Sequence, residues 1–210
     1  MKSPFEGLTK SQVNKLLDLL GVHIYTYSKH QEILPTIKND NIIGIILEGS
    51  AQIVNIEYNG NEMVKEILIK DSVFGNNISA TNSEYCEIIA KEDTRVLVID
   101  YNKLMNPTNL SHNYFNIFLS NLFDIINIKL REINERVKIL EKKQIREKLL
   151  KYFEIENKKS SSKYIHLPFT FKDLADYIGV DRSAMFRELK HLKEDKIIEI
   201  HDKKITLLNK

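Results

Sequence analysis

Residues 170–193, TFKDLADYIGVDRSAMFRELKHLK, are the most informative stretch of this chain. Thr170 and Asp173 have the spacing of a capping box, which predicts that a helix begins here. Gly179 can adopt a positive φ at a helix end, so it predicts where this helix stops. Asp181 is a favourable N-cap for a second helix. The stretch therefore predicts two short helices joined by a tight turn.

The second helix, over about 182–193, separates its apolar side chains from its cations. Its apolar residues are four and three apart and share one stripe, formed by Met185, Leu189 and Leu192. The cations lie off that stripe, at Arg182, Arg187 and Lys190. This is the layout of a helix-turn-helix, whose second helix enters the major groove of DNA. An ordinary helical hairpin is the alternative, and the small Ala175 together with the caps and cations argues against it.

The sequence that follows, IIEIHDKKITLL, predicts a two-stranded wing. Two alternating runs, Ile198–Ile200 and Ile205–Leu207, flank Asp202, Lys203 and Lys204. The tip of the wing is therefore basic. Lysines at such a tip contact phosphate, which adds affinity but little sequence information.

Charge is distributed unevenly along the 210 residues. The net charge is only +2, but residues 142–210 hold 17 Lys and Arg against 11 Asp and Glu. Residues 1–141 hold 14 against 18. A basic C-terminal part suits a polyanionic partner, whereas the acidic N-terminal part does not.

Cysteine usage and hydropathy point to the cytoplasm. Cys86 is the single cysteine, so no disulfide can form within the chain. The N-terminal MKSPFEGLTK lacks the apolar core of a signal peptide. No stretch approaches 18 uninterrupted apolar residues, so we expect no transmembrane helix.

The N-terminal part reads as a short helix followed by many strands. Residues 8–20 have helical periodicity. From Val22 to Ile99, short runs rich in Ile and Val alternate with turn residues: IIGIILEG, AQIVNIEY, MVKEILI, CEIIA and TRVLVID. Asn59-Gly60 between two of these runs is a strong hairpin signal. Such spacing predicts an antiparallel barrel or sandwich.

A long helix is predicted from about Ser111, and its apolar pattern indicates a dimer. Apolar residues recur at spacings of 4 and 3 over three heptads, at Leu119, Phe123, Ile126, Leu130, Ile133, Val137 and Leu140. That is the period of a two-helix seam, so we expect parallel homodimerisation. A second stripe, Phe118, Leu122 and Ile125, is suited to packing on the strand domain. The alternative is an intramolecular helix with a fortuitous heptad.

The segment IREKLLKYFEIEN continues helical after this seam. The heptad ends near Lys142–Gln144, where a new amphipathic phase begins. We therefore expect a strand domain over 1–110, a dimerisation helix over 111–142 and a DNA-binding domain over 143–210.

Strand domain, long helix and winged helix-turn-helix, in that order, resemble the Crp/Fnr family of bacterial transcription regulators. The pieces that carry the resemblance are IIGIILEGSAQIV, GNEMVKEILIKDSVFG, CEIIAKEDTRVLVIDYNKL and DLADYIGVDRSAMFRELKHLKEDKIIEI. The resemblance implies an α+β fold with an N-terminal double-stranded β-helix (jelly-roll) sensor. It also implies a symmetric dimer on an inverted-repeat operator in double-stranded DNA, and RNA polymerase as a partner.

The resemblance also assigns roles at the DNA. Arg182 and Arg187 match the family's base-reading arginines, and Arg reads guanine O6 and N7 bidentately. Ser183 stands where the family commonly has Glu, so the family's common half-site is not expected. Lys196 stands where the family often has Gly, at a small backbone cost if that turn is left-handed. The expected DNA-binding set is Thr170, Asp181, Arg182, Ser183, Arg187, Lys190, His201, Lys203 and Lys204.

The expected effector pocket departs from the cyclic-nucleotide members of the family. Phe74 and Gly75 are retained, but Asn76 replaces the glutamate that holds the ribose. Glu84 and Tyr85 occupy the positions of the Arg-Ser pair that holds the phosphate, and a carboxylate repels a phosphate. Cyclic AMP is therefore not expected as the ligand.

Other sensing chemistries are left open by the residues present. One cysteine excludes an iron–sulfur cluster held within the chain. Haem remains an option, with candidate axial ligands at His23, His30, His112, Met63, Met105 and Cys86. Cys86 is also the candidate thiol sensor, although the carboxylates of Glu84 and Glu87 beside it argue against high reactivity. Its other reading is a small apolar core residue.

The function expected from the sequence is a homodimeric, sequence-specific transcription regulator and not an enzyme. A jelly-roll enzyme would need clustered His and Glu ligands, and the strand region has only His23 and His30. A third possibility is a module that kept the winged helix but binds no DNA; the cations at Arg182 and Arg187 argue against it.

Overall fold

The computed structural model describes residues 2–33, 41–56, 62–75, 86–160, 162, 164–167, 170–201 and 204–208. The chain divides into two compact units, Met1–Asn127 and Ile128–Lys210. Within the described residues, no helix is long and apolar enough to cross a membrane.

The N-terminal unit is mostly strands, followed by the first part of a long helix. Its elements are α1 (Lys10–Leu20), β1 (His23–Tyr27), β2 (Ile42–Glu48), β3 (Ala51–Ile56), β4 (Glu62–Leu68), β5 (Val73–Phe74), β6 (Cys86–Ala90), β7 (Thr94–Asp100), α2 (Tyr101–Leu104), a 3₁₀ helix (Pro107–Ser111) and α3 (Asn113–Leu140). The helix and the five strand runs predicted from the sequence are all present. The predicted Asn59-Gly60 hairpin turn lies outside the described residues.

Two antiparallel sheets form the strand domain, with strand orders β1-β7-β2-β5 and β4-β3-β6. Partners are distant in sequence: Ile45 on β2 pairs with Leu97 on β7, and Ile53 on β3 pairs with Ile88 on β6. All four of these side chains are buried. The predicted double-stranded β-helix is confirmed by this pairing.

Close packing at Gly44 explains why a glycine interrupts the apolar run of β2. A Cβ built on Gly44 would lie 2.3 Å from the ring of Phe74 on β5. Phe74 is fully buried in the core of the strand domain. Glycine at this position therefore lets the aromatic ring lie directly on the neighbouring backbone.

The inner stripe of α3 covers the strand domain, as predicted from Phe118, Leu122 and Ile125. These three and Phe115 are buried against strand residues such as Leu97. The buried amide of Asn121 donates to the carbonyls of Pro4 and Glu6, at 3.1 and 2.8 Å. Helix α3 is thus part of the core of the N-terminal unit over its first turns.

The C-terminal unit is a winged helix domain that also holds the last turns of α3. Its elements are α4 (Ile145–Lys159), β8 (Ile165–His166), α5 (Phe171–Ile178), α6 (Arg182–Glu194), β9 (Ile198–His201) and β10 (Lys204–Leu207). The strands form one small sheet of order β8-β10-β9. Ile139 of α3, Phe153 of α4, Ile178 of α5 and Leu189 of α6 share the core.

Two details differ from the sequence-based expectation. Helix α3 begins at Asn113 because residues 107–111 form a 3₁₀ helix. The break over 141–144 between α3 and α4, in contrast, lies where the sequence predicts that the heptad ends. Strand β8 was not predicted, since two residues are too few to show alternation.

Candidate nucleic-acid interface

The first helix of the pair begins and ends where its caps predict. The Asp173 amide donates to Thr170 Oγ1 at 3.2 Å, and the Thr170 amide donates to Asp173 Oδ2 at 3.0 Å. Helix α5 ends at Gly179, whose φ of +65° lies in the left-handed region. The predicted capping box and turn glycine are therefore confirmed.

The turn between the helices is supported by two other helices. Lys148 of α4 donates from Nζ to the carbonyls of Ile178 and Gly179, at 3.1 and 3.3 Å. These carbonyls lie at the C-terminal end of α5, where a cation is favourable. Leu140 of α3 lies within 3.3 Å of a Cβ built on Gly179. No local sequence signal predicts this role for Lys148, because its partners are about thirty residues away.

The second helix, α6, begins at the predicted cap and is anchored by the predicted stripe. The Ala184 amide donates to Asp181 Oδ1 at 2.8 Å. Met185, Leu189 and Leu192 are buried. The Asp181 side chain is thereby engaged in capping, which gives this residue a structural role beside its expected position at DNA.

The exposed arc of α6, which runs from the edge of the buried stripe to the opposite face, carries the expected DNA-reading residues. Arg182, Ser183, Arg187 and Lys190 are all exposed. At about 100° per residue, Ser183 lies ~100° and Arg187 ~140° around the helix from Arg182. The structure therefore brings the two arginines, the serine and Lys190 onto one accessible arc.

An ion-pair cluster fixes the other end of α6. Arg146 of α4 pairs with Glu188 of α6 at 3.2 Å and with Asp195, just after α6, at 2.5 Å. One guanidinium thus ties the start of α4 to both the middle and the end of the helix that presents the arginines. No spacing rule in the sequence identifies this cluster, since its members are over 40 residues apart.

The wing places two more expected contacts opposite each other. His201 of β9 pairs with Lys204 of β10, and both are exposed. Lys203, also expected here, lies outside the described residues. Lys196, just before the wing, has a φ of +55°, so the left-handed turn that usually suits glycine is present.

Of the expected effector pocket, three residues can be described. Phe74 is a core residue, and Gly75 lies so close to Ile42 that a Cβ would approach its carbonyl oxygen to 2.5 Å. Cys86 is half-buried on β6, with Sγ 3.8 Å from Asn55 Oδ1. Asn76, Glu84 and Tyr85 lie outside the described residues.

Most candidate haem ligands can be placed. His23 on β1 and His30 are exposed, Met105 is 56% exposed, and His112 and Cys86 are half-buried. The side chain of Met63 lies outside the described part of the structure. Within the part of the chain that is described, no three His, Cys, Asp or Glu side chains are grouped to hold a metal ion.

A second surface of interest is the outer stripe of α3. Its large apolar side chains are exposed, in contrast to the inner stripe. They are Phe123 (60%), Ile126 (36%), Leu130 (53%), Ile133 (57%), Val137 (45%) and Leu140 (41%). Leu119, the first member of the predicted seam, is half-buried and also packs on the strand domain.

Comparison with known proteins agrees with this geometry. Residues 132–210 match the Crp-like helix-turn-helix domain family. A putative HTH-type transcriptional regulator, ycf28 of Porphyra purpurea, is 28% identical over 170 residues, which cover 78% of this chain and 69% of that protein.

Solved structures share the fold over nearly the whole chain. CprK complexed with OCPA superposes with a TM-score of 0.66 at 20% identity, covering 93% of this chain and 89% of that one. A variant of CooA from Carboxydothermus hydrogenoformans gives 0.62 at 18% identity, covering 96% and 93%.

The chain is a transcription regulator with a helix-turn-helix domain. Its C-terminal part is a Crp-like helix-turn-helix domain, and its N-terminal part has the β-roll fold found in regulators of this family. The resemblance to the Crp/Fnr family that was expected from the sequence is confirmed.

Proposed function

We propose that the protein is a homodimer that binds an inverted repeat in double-stranded DNA and regulates transcription there. The observation that carries the proposal is the face of α6: two arginines, a serine and a lysine are exposed. The opposite stripe of the same helix is buried. Because its buried stripe anchors α6 to the domain, the helix can enter a major groove with its exposed cations facing the DNA.

Arg182 and Arg187 read base edges in this proposal. Arginine is the side chain that most often reads guanine, through O6 and N7 together. Ser183 between them is a short hydroxyl that can donate or accept, so it discriminates bases less than a carboxylate would. The two arginines therefore supply most of the sequence preference.

Phosphate contacts come from the margins of the domain. Lys190 on α6 and Lys204 at the wing are exposed cations suited to this role. His201 and Thr170, together with Lys203, which is placed here from the sequence alone, complete the proposed set. Contacts of this kind set the register of the protein on DNA and make binding depend on salt.

Dimerisation is proposed through the exposed stripe of α3. Large apolar residues repeat there with the period of a two-helix seam, and in a single chain they are exposed to solvent. A two-fold dimer places two recognition helices about one turn of DNA, ~34 Å, apart. We accordingly assign 1–110 to sensing, 111–142 to dimerisation and 143–210 to DNA binding.

The β-roll is proposed to sense a small molecule other than a cyclic nucleotide. Glu84 and Tyr85 stand where a phosphate would need a cation and a hydroxyl. A regulator of the same fold, CprK, has been captured with OCPA, which supports a ligand-responsive domain. We propose no catalytic activity for the chain; its partners are DNA and RNA polymerase, in the cytoplasm.

The test is DNA binding over a salt series with two variants that should fail differently. Binding sites are first selected from random duplexes. Arg187→Ala is then expected to lose roughly 1–3 kcal/mol of binding free energy on the selected site. The difference in affinity between the selected site and scrambled DNA should therefore become smaller. Lys204→Ala should weaken both duplexes about equally and lower the salt slope by about one unit per contact.

Two results would contradict the proposal. If no site is enriched and affinity is independent of salt, the chain is not a sequence-specific DNA-binding protein. If Arg187→Ala weakens both duplexes equally, Arg187 contacts phosphate, and base reading must lie with Arg182, Ser183 or DNA shape.

A further inference from the structure

An aromatic side chain lies among the cations of the recognition helix. Phe186 is 43% exposed, and an exposed aromatic ring is unusual on a helix face whose other exposed residues are polar. The Arg182 guanidinium carbon lies 5.8 Å from the centre of its ring. The ring also lies 5.8 Å from that of Phe171, at the start of α5. Packing on Phe171 therefore covers one side of Phe186 and leaves the rest open.

The open side of Phe186 faces a shallow groove bordered by cations. The groove measures about 440 Å³, and its lining consists of Phe171, Phe186, Leu189, Lys190, Lys193, Glu194 and Ile200. Glu194 lies 3.7 Å from Lys190 and offsets part of its charge. With two lysines in the lining and Arg182 next to Phe186, this largely apolar surface is still complementary to a polyanion that also presents apolar groups. Double-stranded DNA is such a partner, because phosphates flank a groove that contains thymine methyl groups.

Phe186 also lies inside the arc of α6 that would face DNA. At about 100° per residue, it is ~40° around the helix from Arg182, whereas Arg187 is ~140° away in the same direction. Phe186 therefore lies between the two arginines. Any placement of the helix that brings both arginines into the major groove also brings this ring into it.

We propose that Phe186 reads the methyl group of a thymine in each half-site, an inference that rests on the proposed DNA-binding function. Thymine is the one base with a C5-methyl group in the major groove, and phenylalanine is a suitable apolar partner for it. Base steps are ~3.4 Å apart. With Arg182 5.8 Å from the ring, the thymine lies within two base pairs of the base that Arg182 reads.

Deoxyuridine provides the test, because it differs from thymidine only by this methyl group and keeps every hydrogen bond of the pair. Each thymine of the selected site is replaced in turn, in both half-sites together, and affinity is measured. Wild-type protein should lose about fourfold in affinity per half-site at one position, from the methyl burial that is lost. In Phe186→Ala, the ratio between the thymidine and deoxyuridine duplexes should fall to about one.

Two variants serve as controls. Lys193→Ala changes a neighbour at the same groove and should keep the wild-type ratio, whatever it does to overall affinity. Phe186→Leu keeps an apolar side chain and should give an intermediate ratio, which separates methyl reading from misfolding. Circular dichroism and affinity for scrambled DNA check that Phe186→Ala is folded.

Several outcomes would overturn the inference. If no thymine responds to replacement, or if Phe186→Ala keeps the wild-type ratio, Phe186 only packs against Phe171 or against deoxyribose. Either result leaves the proposed DNA-binding function intact, because the protein has already selected a specific site from random duplexes. If no site is enriched from random duplexes, the proposed function fails and the inference fails with it.

Discussion

Two residues with positive φ in the C-terminal unit make opposite demands on the side chain. Gly179, at φ +65°, lies directly after α5. Because glycine has no Cβ, it adopts this left-handed conformation without steric strain. Lys196, at φ +55°, carries a side chain in the same left-handed region. An L-residue in that region costs roughly 1–2 kcal/mol compared with its right-handed alternative. The two positions should therefore respond in opposite ways to exchange with glycine or alanine.

We expect Gly179→Ala to lower the free energy of unfolding by roughly 1–2 kcal/mol, from backbone strain and from the approach of the new Cβ to Leu140. Lys196→Gly should raise it by up to ~1 kcal/mol, because strain relief exceeds the extra entropy of the unfolded chain. Urea denaturation measures both. Lys193→Gly, inside α6, is the matched control and should destabilise by about 1 kcal/mol. If Lys193→Gly and Lys196→Gly lowered the free energy of unfolding equally, the backbone at Lys196 would not be strained.

At the scale of the element, α4 contains a carboxylate with two lysine partners on its own helix. Lys158 donates to Glu154 at 2.6 Å and Lys151 donates at 2.9 Å. These hydrogen bonds, with that of Lys158 first, lower the pKa of Glu154 to about 2. Since the folded pKa lies below the unfolded one, the stabilisation is present above pH ~4.5 and is lost as the pH falls towards ~2. The side chain is 45% exposed, so solvent screening keeps the effect on stability small.

The prediction for α4 is therefore made on the pKa itself. In Lys158→Ala, the pKa of Glu154 should rise towards its usual value, as followed by NMR titration of the carboxyl carbon. Lys159→Ala is the control, because Lys159 pairs with Glu135 and Glu156 and not with Glu154. A similar rise in both variants would mean that general helix charge, and not the Lys158 contact, sets the pKa of Glu154.

At the scale of the whole molecule, assembly depends on the outer stripe of α3. Ile133, 57% exposed in the single chain, would be buried at the proposed seam. Ile133→Glu places two uncompensated carboxylates opposite each other there, which is strongly unfavourable. Light scattering should therefore show a monomer, and the affinity for an inverted repeat should fall towards that for a single half-site.

Arg131→Glu is the matched control for assembly. Arg131 is exposed and lies about 200° around α3 from Ile133, so the same new residue is placed away from the seam. This variant should remain dimeric. A dimeric Ile133→Glu protein would place the interface elsewhere on the molecule.

Elements whose signals are local could be predicted from the residues alone. The capping box of Thr170 and Asp173, the N-cap Asp181 and the turn at Gly179 all act within four residues, so the sequence predicts them directly. The strand runs of the β-roll and the two stripes of α3 are likewise periodic within one element. Local hydrogen bonds and periodic burial need no knowledge of distant partners.

Contacts between distant side chains, in contrast, depend on how the whole chain folds. Lys148 at the turn and Arg146 at Glu188 and Asp195 join residues that are 30 or more positions apart, and no spacing rule predicts such pairs. Leu119 follows the heptad in sequence, yet packs on the strand domain, because the fold sets which side of a helix is covered. In the sequence, Phe186 resembles any other apolar residue of α6. The structure shows that its ring is exposed and lies next to Arg182, one helical turn earlier.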